Sequence, residues 1–274
     1  MISGSTWRLP AAELELAPAK VNLALHVRAR LNDGYHALET LFAFTRFGDV
    51  LHAEAAADWS LRMEGPMAHA AGPLDDNLVL RAARAFSEAC HSRQKFAFRL
   101  EKHIPVAAGL GGGSADAGAA LRLLNRMTGA GLAGAELEAI GAGLGADVAA
   151  CVRSKSCVGS GRGEQLRAVN ALTGLPILLV NPRVAVPTGP VFRGWDGVDR
   201  GALGADYRTA RNDLEAPALA LQPVIGDVLA WLASLEGVTL ARMSGSGATC
   251  FALLDRLPQI AVPHGWWSAS STLL

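Results

Sequence analysis

A run of glycines just before a helical pattern is the first group of residues with an evident chemical use. Residues 105–120 read PVAAGLGGGSADAGAA, with four glycines within five positions. Glycine permits positive φ and places no Cβ between backbone and ligand, so neighbouring N–H groups can converge on an anion. Residues 95–104 alternate as in a strand, and apolar residues recur at helical spacing from Leu121 onward. The segment therefore predicts a phosphate-binding loop between a strand and a helix.

The helix after this loop has recognisable start signals. We predict Ser114 as its N-cap and place Asp116 in its first turn. The unpaired N–H groups and the positive end of the helix dipole would then face the loop. The alternative is a tight glycine turn that only packs the helix on a sheet, because glycine mainly punctuates structure.

Lys20 and Asn22 are a second candidate pair, in a stretch that alternates on both sides of Pro18. The proline predicts two strand segments with a break between them. Residues two apart point to the same side of a strand, so the two polar side chains share a face. The pattern leaves two interpretations open, a polar site or the solvated face of an edge strand.

Asp147 is the acidic candidate. It follows Gly145 and enters the apolar residues 148–152. A carboxylate in such surroundings needs a partner, because an unpaired buried charge is costly. Asp147 is therefore either capped for structural reasons or used in chemistry.

Tyr35 and His36 follow an Asp-Gly turn signal at residues 33–34. An aromatic ring beside an imidazole can hold a flat, polar ligand ring. A hairpin turn with a partly buried tyrosine explains the same residues without a ligand, and the local pattern does not decide between the two.

The elements that must position these residues can be read from periodicity. We predict strands at 41–47, 50–54 and 59–64 as an antiparallel meander, then a helix from 75 to about 90 and another over 135–144. Residues 159–164 predict a turn between two strands, and 176–180 a buried strand. Thr188 is expected to cap a short helix that includes Phe192, before a loop-rich stretch at 193–211. A helix near 221–235, a glycine-rich turn leading into a strand that ends at 254, and a final strand over 266–274 complete the prediction.

Composition limits the possible classes of function. The chain has 274 residues, half of them hydrophobic, and 25 Lys plus Arg balance 25 Asp plus Glu. This balance does not favour a nucleic acid or membrane partner, and no apolar run approaches the length of a membrane span. Four cysteines without a Cys-x-x-Cys pair and seven scattered histidines predict neither a disulfide framework nor a protein-built metal site. We expect a cytoplasmic protein with a small-molecule ligand.

Three glycine-bearing segments, the Lys-Asn face and the acid suit a phosphoryl transferase that works by positioning and charge stabilisation. Neither the P-loop nor the protein-kinase motifs occur. The sequence resembles the GHMP kinase superfamily of small-molecule kinases, with residues 18–23 (PAKVNL) similar to its first motif, 105–115 to its phosphate loop and 242–249 to its third motif.

The resemblance implies an α+β fold of two domains. An N-terminal domain like ribosomal protein S5 would span residues 1–170, and a ferredoxin-like domain would span 171–274, with the active site in the cleft between them. Two departures stand out. Gly118 lies inside the helix after the phosphate loop, and the stretch from Pro258 contains prolines where the fold usually has a helix.

The resemblance also implies a reaction. The segment 33–36 is similar to that of superfamily members that use ATP to phosphorylate the 2-hydroxyl of a cytidine-diphosphate-linked methylerythritol, in non-mevalonate isoprenoid synthesis. Asp147 would be the catalytic base, and Lys20 would orient the hydroxyl and keep Asp147 ionised. Tyr35 and Phe192 would sandwich the cytosine. His36 would form a hydrogen bond with the edge of that ring, and Asn22 would lie near the methylerythritol.

ATP would bind at the loop and bring Mg²⁺ with it, with no protein ligand of the metal assigned. The residues expected at ATP are Asn77, Lys102, Pro105, Gly109, Leu110, Gly111, Gly112, Gly113, Ser114 and Ala115, of which Asn77 and Lys102 would lie near the adenine. A sister kinase acting on homoserine or a mevalonate derivative is the alternative, and a non-catalytic nucleotide-binding relative is another. We expect a monomer or a weak homodimer.

Overall fold

The computed structural model describes residues 13–70, 76–170, 172–257 and 261–274. Its strands are β1 (Glu13–Arg30), β2 (His36–Ala56), β3 (Ser60–Glu64), β4 (Lys95–Glu101), β5 (Cys157–Ser160), β6 (Gln165–Ala168), β7 (Pro176–Asn181), β8 (Val238–Met243), β9 (Cys250–Leu254) and β10 (Trp267–Thr272). Its α-helices are α1 (Leu78–Ala89), α2 (Gly112–Thr128), α3 (Gly134–Ala142), α4 (Val148–Arg153), α5 (Thr188–Arg193), α6 (Glu215–Leu221) and α7 (Val224–Ala233). This mixture of helices and sheets is the α+β class predicted above.

The first sheet is organised around the long strand β2. β1 runs antiparallel along one edge of β2, while β5 and β4 share the other edge. Pro18 does not divide β1 into two strands as predicted, because a register shift between Pro18 and Lys20 accommodates the missing N–H donor. The predicted segments 41–47 and 50–54 likewise form one continuous strand.

The predicted antiparallel meander is wrong at β3. β3 pairs with β4 in parallel, with Leu61 opposite Phe98. The reason is α1, which lies between β3 and β4 in the chain and provides the crossover that a parallel pair needs. Asn77 caps α1, where its Oδ1 accepts from the N–H of Val79 at 2.9 Å. Asp75, from which we expected this helix to run, lies outside the described residues.

Helices α1 to α4 share a core with the first sheet, and large side chains such as Phe42, Phe86 and Leu121 are fully buried there. Gly118 has a packing reason inside α2, because a Cβ at this position would lie 2.7 Å from the carbonyl carbon of Cys151. The glycine therefore lets α2 and α4 approach closely, which offsets its low helix propensity.

The second sheet is antiparallel, in the order β10-β7-β9-β8. The helices α5 to α7 connect β7 to β8, and the core around Val180, Ile225 and Val228 lies beneath them. The predicted helix near 221–235 is confirmed as α7, with α6 as an additional helix before Pro223. The final strand is confirmed as β10, and residues 255–257 and 261–266 before it contain no helix.

The two sheets face each other across a third core cluster. Val21 and Leu23 of β1 pack in it with Leu179 of β7 and Phe251 of β9. Main-chain contacts add to this packing, since Leu25 donates its N–H to the carbonyl of Arg211 at 2.9 Å. The first sheet with α1 to α4 and the second sheet with α5 to α7 form the two halves of the structure. β1 thus carries the Lys20 and Asn22 side chains along the junction of these two halves. A domain boundary at residue 170 stays a prediction.

Candidate active site

A cavity of about 790 Å³ opens between the two halves of the chain. It is lined by most of the residues predicted from sequence, namely Lys20, Asn22, Tyr35, His36, Gly109, Gly111, Gly112, Gly113, Ser114, Asp147 and Phe192. The predicted residues that do not line it are Asn77, Lys102, Pro105, Leu110 and Ala115. Segments far apart in sequence therefore meet at one place.

Lys20 lies at the centre of the site. Its Nζ is 3.1 Å from Oδ2 of Asp147 and donates to Oδ1 of Asn22 at 2.7 Å. Lys20 is 4% exposed and Asn22 is 3% exposed, which excludes the solvated edge strand as the explanation of their shared face. The Asp147 side chain is 36% exposed, so its carboxylate reaches the cavity while remaining paired with the ammonium.

Thr40 fixes the orientation of Asn22, and nothing in the sequence marked it. The Nδ2 of Asn22 donates to Oγ1 of Thr40 at 2.7 Å, and that hydroxyl donates to the carbonyl of Ala24. With its amide nitrogen held in this way, Asn22 must turn its oxygen toward Lys20. A polar chain from Thr40 through Asn22 to Lys20 thus positions the ammonium beside Asp147. This polar chain becomes visible only once the pairing of β1 with β2 is known.

The glycine loop is held by close backbone approaches. Gly109 has φ +77°, and a Cβ there would lie 2.4 Å from the carbonyl oxygen of Ser244. The hydroxyl of Ser244 donates to the carbonyl of Gly109 at 2.9 Å, so the turn of the third motif braces the loop. Gly111 has φ +63°, and a Cβ there would lie 2.9 Å from Cε of Lys20. Side chains at these two positions would collide with the site itself.

The predicted helix cap at Ser114 is wrong. α2 begins at Gly112, and its N-cap is Gly111 in the left-handed conformation. The cause is the glycine run, because a residue without Cβ turns into the helix at positive φ with little strain. Ser114 instead lies in the first turn and lines the cavity. The first N–H groups of α2 have no partner within the helix, an arrangement that can bind an anion.

The opposite side of the cavity is aromatic. The ring centroids of His36 and Phe192 are 5.1 Å apart, and Trp195 meets His36 edge-on at 5.8 Å. The Nε2 of His36 is buried without a hydrogen-bond partner among the described residues. Burial, together with the charge of Arg30, lowers the pKa of His36. The environment of His36 therefore favours the neutral imidazole.

Arg162 is a cavity residue that the sequence did not single out. It stands at the tip of the β5–β6 hairpin, where a turn was predicted, and its guanidinium lies 4.3 Å from the ring centroid of Tyr35. It also forms an ion pair with Asp33. Tyr35 is 57% exposed, and the guanidinium covers one face of its ring.

Thr188 and Ser246 line the cavity from the second half of the chain. Their hydroxyl oxygens are 3.1 Å apart. Thr188 is the first residue of α5, and the N-cap expected at this position is Pro187 instead. The proline fixes φ before the helix begins, so Thr188 is free to point at Ser246.

Lys102 was expected near adenine, and its ammonium is buried. It pairs with Asp49 and with Asp116 in the interior, next to the start of α2. Asn77 caps α1 beside the loop. Contacts of these two residues with adenine stay predictions.

Within residues 13–70, 76–170, 172–257 and 261–274, no group of three or more His, Cys, Asp and Glu side chains is arranged to hold a metal ion. None of the helices in this part of the chain is both long and apolar enough to cross a membrane.

Comparisons with known proteins agree with this geometry. The family model of the GHMP kinases N terminal domain matches residues 77–155, and that of the GHMP kinases C terminal matches residues 200–266. The 4-diphosphocytidyl-2-C-methyl-D-erythritol kinase of Rhizorhabdus wittichii is 50% identical, with 99% of this chain and 98% of that protein covered. The enzyme of the same name from Novosphingobium aromaticivorans is 53% identical, with 94% and 92% covered.

Two solved structures extend the comparison. The crystal structure of a 4-(cytidine 5'-diphospho)-2C-methyl-D-erythritol kinase matches with a TM-score of 0.78 at 33% identity, covering 95% of this chain and 99% of that one. A homoserine kinase from Cytophaga hutchinsonii matches with a TM-score of 0.70 at 17% identity, covering 100% and 98%. The second likeness shows a shared fold only.

Proposed function

Because the chain belongs to the GHMP kinase superfamily, in the family of 4-diphosphocytidyl-2-C-methyl-D-erythritol kinases, we propose that it phosphorylates the 2-hydroxyl of this alcohol with ATP. The observation that carries the proposal is the Lys20–Asp147 pair, which lies between a backbone anion site and an aromatic pocket. The first suits the phosphates of ATP, and the second suits a cytosine ring.

The carboxylate of Asp147 accepts the proton of the 2-hydroxyl in this scheme. The hydroxyl oxygen forms a bond to the γ-phosphorus of ATP, the bond from that phosphorus to the bridging oxygen breaks, and ADP leaves. The proton passes from Asp147 to solvent, which its exposed carboxylate reaches. Lys20 keeps the carboxylate paired and stabilises negative charge that develops on the attacking oxygen.

The two ligands are held by different groups. The N–H groups at the start of α2 and the glycine loop hold the phosphates of ATP, with the adenine proposed near Asn77 and Lys102. Magnesium that arrives with ATP would neutralise charge on those phosphates, and the side-chain oxygens of Ser114 and Asp147, which both line the cavity, would be the groups to hold it.

The cytosine is proposed to lie between Tyr35 and Phe192, with its edge on the imidazole of His36. Asn22 is proposed to lie near the methylerythritol, because its side chain faces the cavity beside Lys20. A role in the non-mevalonate isoprenoid route and a cytoplasmic location belong to the same proposal, as does a monomer or weak homodimer without nucleic acid or membrane partners.

A coupled assay of ADP release tests the proposal directly. Purified protein is given ATP, Mg²⁺ and one of three alcohols, namely the diphosphocytidyl alcohol, homoserine or mevalonate. We expect turnover with the first and at most background rates with the other two. Faster turnover with homoserine or mevalonate would identify a sister kinase. A protein that binds ADP but forms none from ATP in all three assays would be a non-catalytic relative.

Competition by CDP isolates the cytidyl assignment. We expect CDP to raise the apparent KM for the diphosphocytidyl alcohol and to leave the KM for ATP unchanged. An enzyme that turns over this alcohol but ignores CDP would contradict the pocket formed by Tyr35, His36 and Phe192.

A further inference from the structure

Three charged side chains are buried beneath the glycine loop, outside the cavity. Lys102 pairs with Asp49 and, at 2.7 Å, with Asp116. The side chains of Lys102, Asp49 and Asp116 are 5%, 0% and 4% exposed. Burying two carboxylates with one ammonium is expensive, since the desolvation of each ion costs several kcal/mol. An apolar group of similar volume would fill this space at lower cost, so the charges call for another explanation.

Asp49 connects the cluster to the upstream end of the loop. Its Oδ1 accepts from the backbone N–H of His103 at 2.5 Å and from that of Ile104 at 2.8 Å. These two residues follow β4 and lead into the glycines. Asp49 therefore fixes the backbone where the loop begins.

Asp116 connects the cluster to the downstream end, because it lies near the start of α2. Gly112 packs against the same lysine, and a Cβ at Gly112 would lie 3.5 Å from Nζ of Lys102 and 3.2 Å from Cγ2 of Ile104. Lys102 thus bridges a carboxylate at each end of the loop and lies directly under the first N–H groups of the helix.

We propose that Asp49, Lys102 and Asp116 form an anchor that ties both ends of the glycine loop together and so positions the N–H groups that bind the ATP phosphates. These are positioning residues, because none of them lines the cavity. The inference rests on the proposed function in one respect, that the loop binds a nucleotide phosphate. It gives Lys102 a role that does not depend on contact with adenine.

The two carboxylates are not equivalent within the anchor. Asp49 receives two backbone N–H groups and the ammonium, whereas Oδ1 of Asp116 has no partner among the described residues. Burial raises the pKa of Asp116 to about 8, against the opposing effect of Lys102, and the charge of Asp49 adds to the rise. Asp116 is therefore the carboxylate of the pair that takes up a proton more readily. Asp116→Asn keeps the shape of the side chain and an oxygen that accepts from Lys102, whereas Lys102→Met leaves Asp49 charged without its ammonium.

The test measures ADP binding by isothermal titration calorimetry in wild type, Lys102→Met, Asp116→Asn and a control, Arg122→Met. Arg122 lies on the same helix α2 and pairs with Glu15 at 2.8 Å, away from the loop. We expect Lys102→Met to weaken ADP binding at least about tenfold, because a small displacement of positioning groups has effects of this size or more. Asp116→Asn is expected to change the Kd for ADP less than about threefold.

Inorganic tripolyphosphate separates loop positioning from an adenine contact, since it carries the phosphates alone. In displacement titrations, Lys102→Met should weaken tripolyphosphate by the same factor as ADP. CDP binding, which reports the other side of the cavity, should stay within about twofold of wild type. Arg122→Met should lower the Tm and leave the Kd for ADP within about twofold.

Three outcomes overturn the anchor. The first is an unchanged Kd for ADP in Lys102→Met, and the second is loss of ADP with normal tripolyphosphate binding, which would indicate an adenine contact. The third is equal weakening in Arg122→Met, which would indicate general destabilisation. If Lys102→Met does not fold, Lys102→Arg and Asp49→Asn are measured in the same way, and unchanged ADP binding in both overturns the anchor. Wild type that does not bind ADP contradicts the proposed function instead.

Discussion

One side of the cavity is formed mainly by backbone, and the other is formed mainly by side chains. The phosphate side presents backbone, where Gly109 and Gly111 hold positive φ and buried side chains support the loop from beneath. The side proposed to bind the cytidyl group, here called the cytidyl side, presents side chains from a turn, a hairpin tip and a short helix, among them the half-exposed Tyr35 and Arg162. Backbone N–H groups can bind a phosphate whatever molecule carries it. Exposed side chains, in contrast, can be substituted without disturbing the core.

This difference assigns shared and particular features to separate places. A homoserine kinase shares the fold over the whole chain at 17% identity, so the fold alone does not select the alcohol. The selection is expected to come from side chains around the cavity, among which we proposed His36 as the partner of the cytosine edge. The Lys20–Asp147 pair lies where the two sides meet.

The largest effect is expected at that meeting point. Asp147→Asn should lower kcat about 10²- to 10⁴-fold, because it removes a positioned base and leaves the shape of the side chain. Lys20→Ala should cost about 10²- to 10³-fold through lost charge stabilisation. Steady-state ADP release measures both, and calorimetry should give an unchanged Kd for ADP in Asp147→Asn. Near-normal turnover in Asp147→Asn would contradict its role as base.

A matched pair of glycines compares the two sides directly. Gly109→Ala should lower the free energy of unfolding by about 2 to 5 kcal/mol, because it combines positive φ with a Cβ forced against the carbonyl of Ser244. Gly34 in the cytidyl turn also has positive φ, +85°, but nothing lies within 4 Å of its Cβ position. Gly34→Ala should therefore cost only about 1 to 2 kcal/mol. Equal losses in urea titrations would contradict the contrast between a braced loop and an open turn.

The sequence predicted the phosphate side better than the rest of the site, and the reason is locality. A glycine run between strand and helix patterns is a short-range signal, so the loop was found although its cap was misplaced from Gly111 to Ser114. The pairing of Lys20 with Asp147 joins positions that are 127 residues apart in the sequence. Periodicity left Lys20 and Asn22 undecided, and only the family resemblance named both partners.

Other parts of the site had no sequence signal. Thr40 depends on the register between β1 and β2, and Arg162 is one residue in a turn of glycines. The parallel pairing of β3 with β4 was missed although the helix between them is the usual connection of such a pair. For Thr40 and Arg162 the deciding interaction is tertiary, and local pattern carries none of it.

Tyr35 tests whether the cytidyl side holds a base by stacking. Tyr35→Ala should raise the KM for the diphosphocytidyl alcohol about 5- to 150-fold, since stacking of a base on an aromatic ring contributes about 1 to 3 kcal/mol. The KM for ATP should not change, and stability should change little because the side chain is largely exposed. Tyr35→Phe is the control and should behave as wild type. A shift in the KM for ATP instead would break the division into two sides.

His36 predicts a pH dependence confined to the cytidyl substrate. Its pKa is lowered by burial and by Arg30, so the imidazole is neutral at pH 7 and takes a proton only below its ordinary value of about 6.5. As pH falls through the lowered pKa, the imidazole takes up a proton and loses its acceptor nitrogen, so kcat/KM for the cytidyl substrate should fall by up to about tenfold per pH unit. His36→Gln should remove this dependence. The same acid fall in wild type and His36→Gln would assign it to another group.

The smallest effect is expected at Arg162. It tests whether this arginine supports the ring of Tyr35 on the cytidyl side. An exposed cation over an aromatic ring contributes about 0.5 to 1 kcal/mol, so Arg162→Ala should raise the KM for the cytidyl substrate about 2- to 5-fold. Arg162→Lys keeps the charge and loses the planar stack, so it should recover only part of the loss. Arg167→Ala on β6 of the same hairpin is the control and should match wild type. If Arg162→Ala raises the KM no further in a Tyr35→Ala background, the arginine acts through the tyrosine; if it does, the arginine contacts the substrate itself.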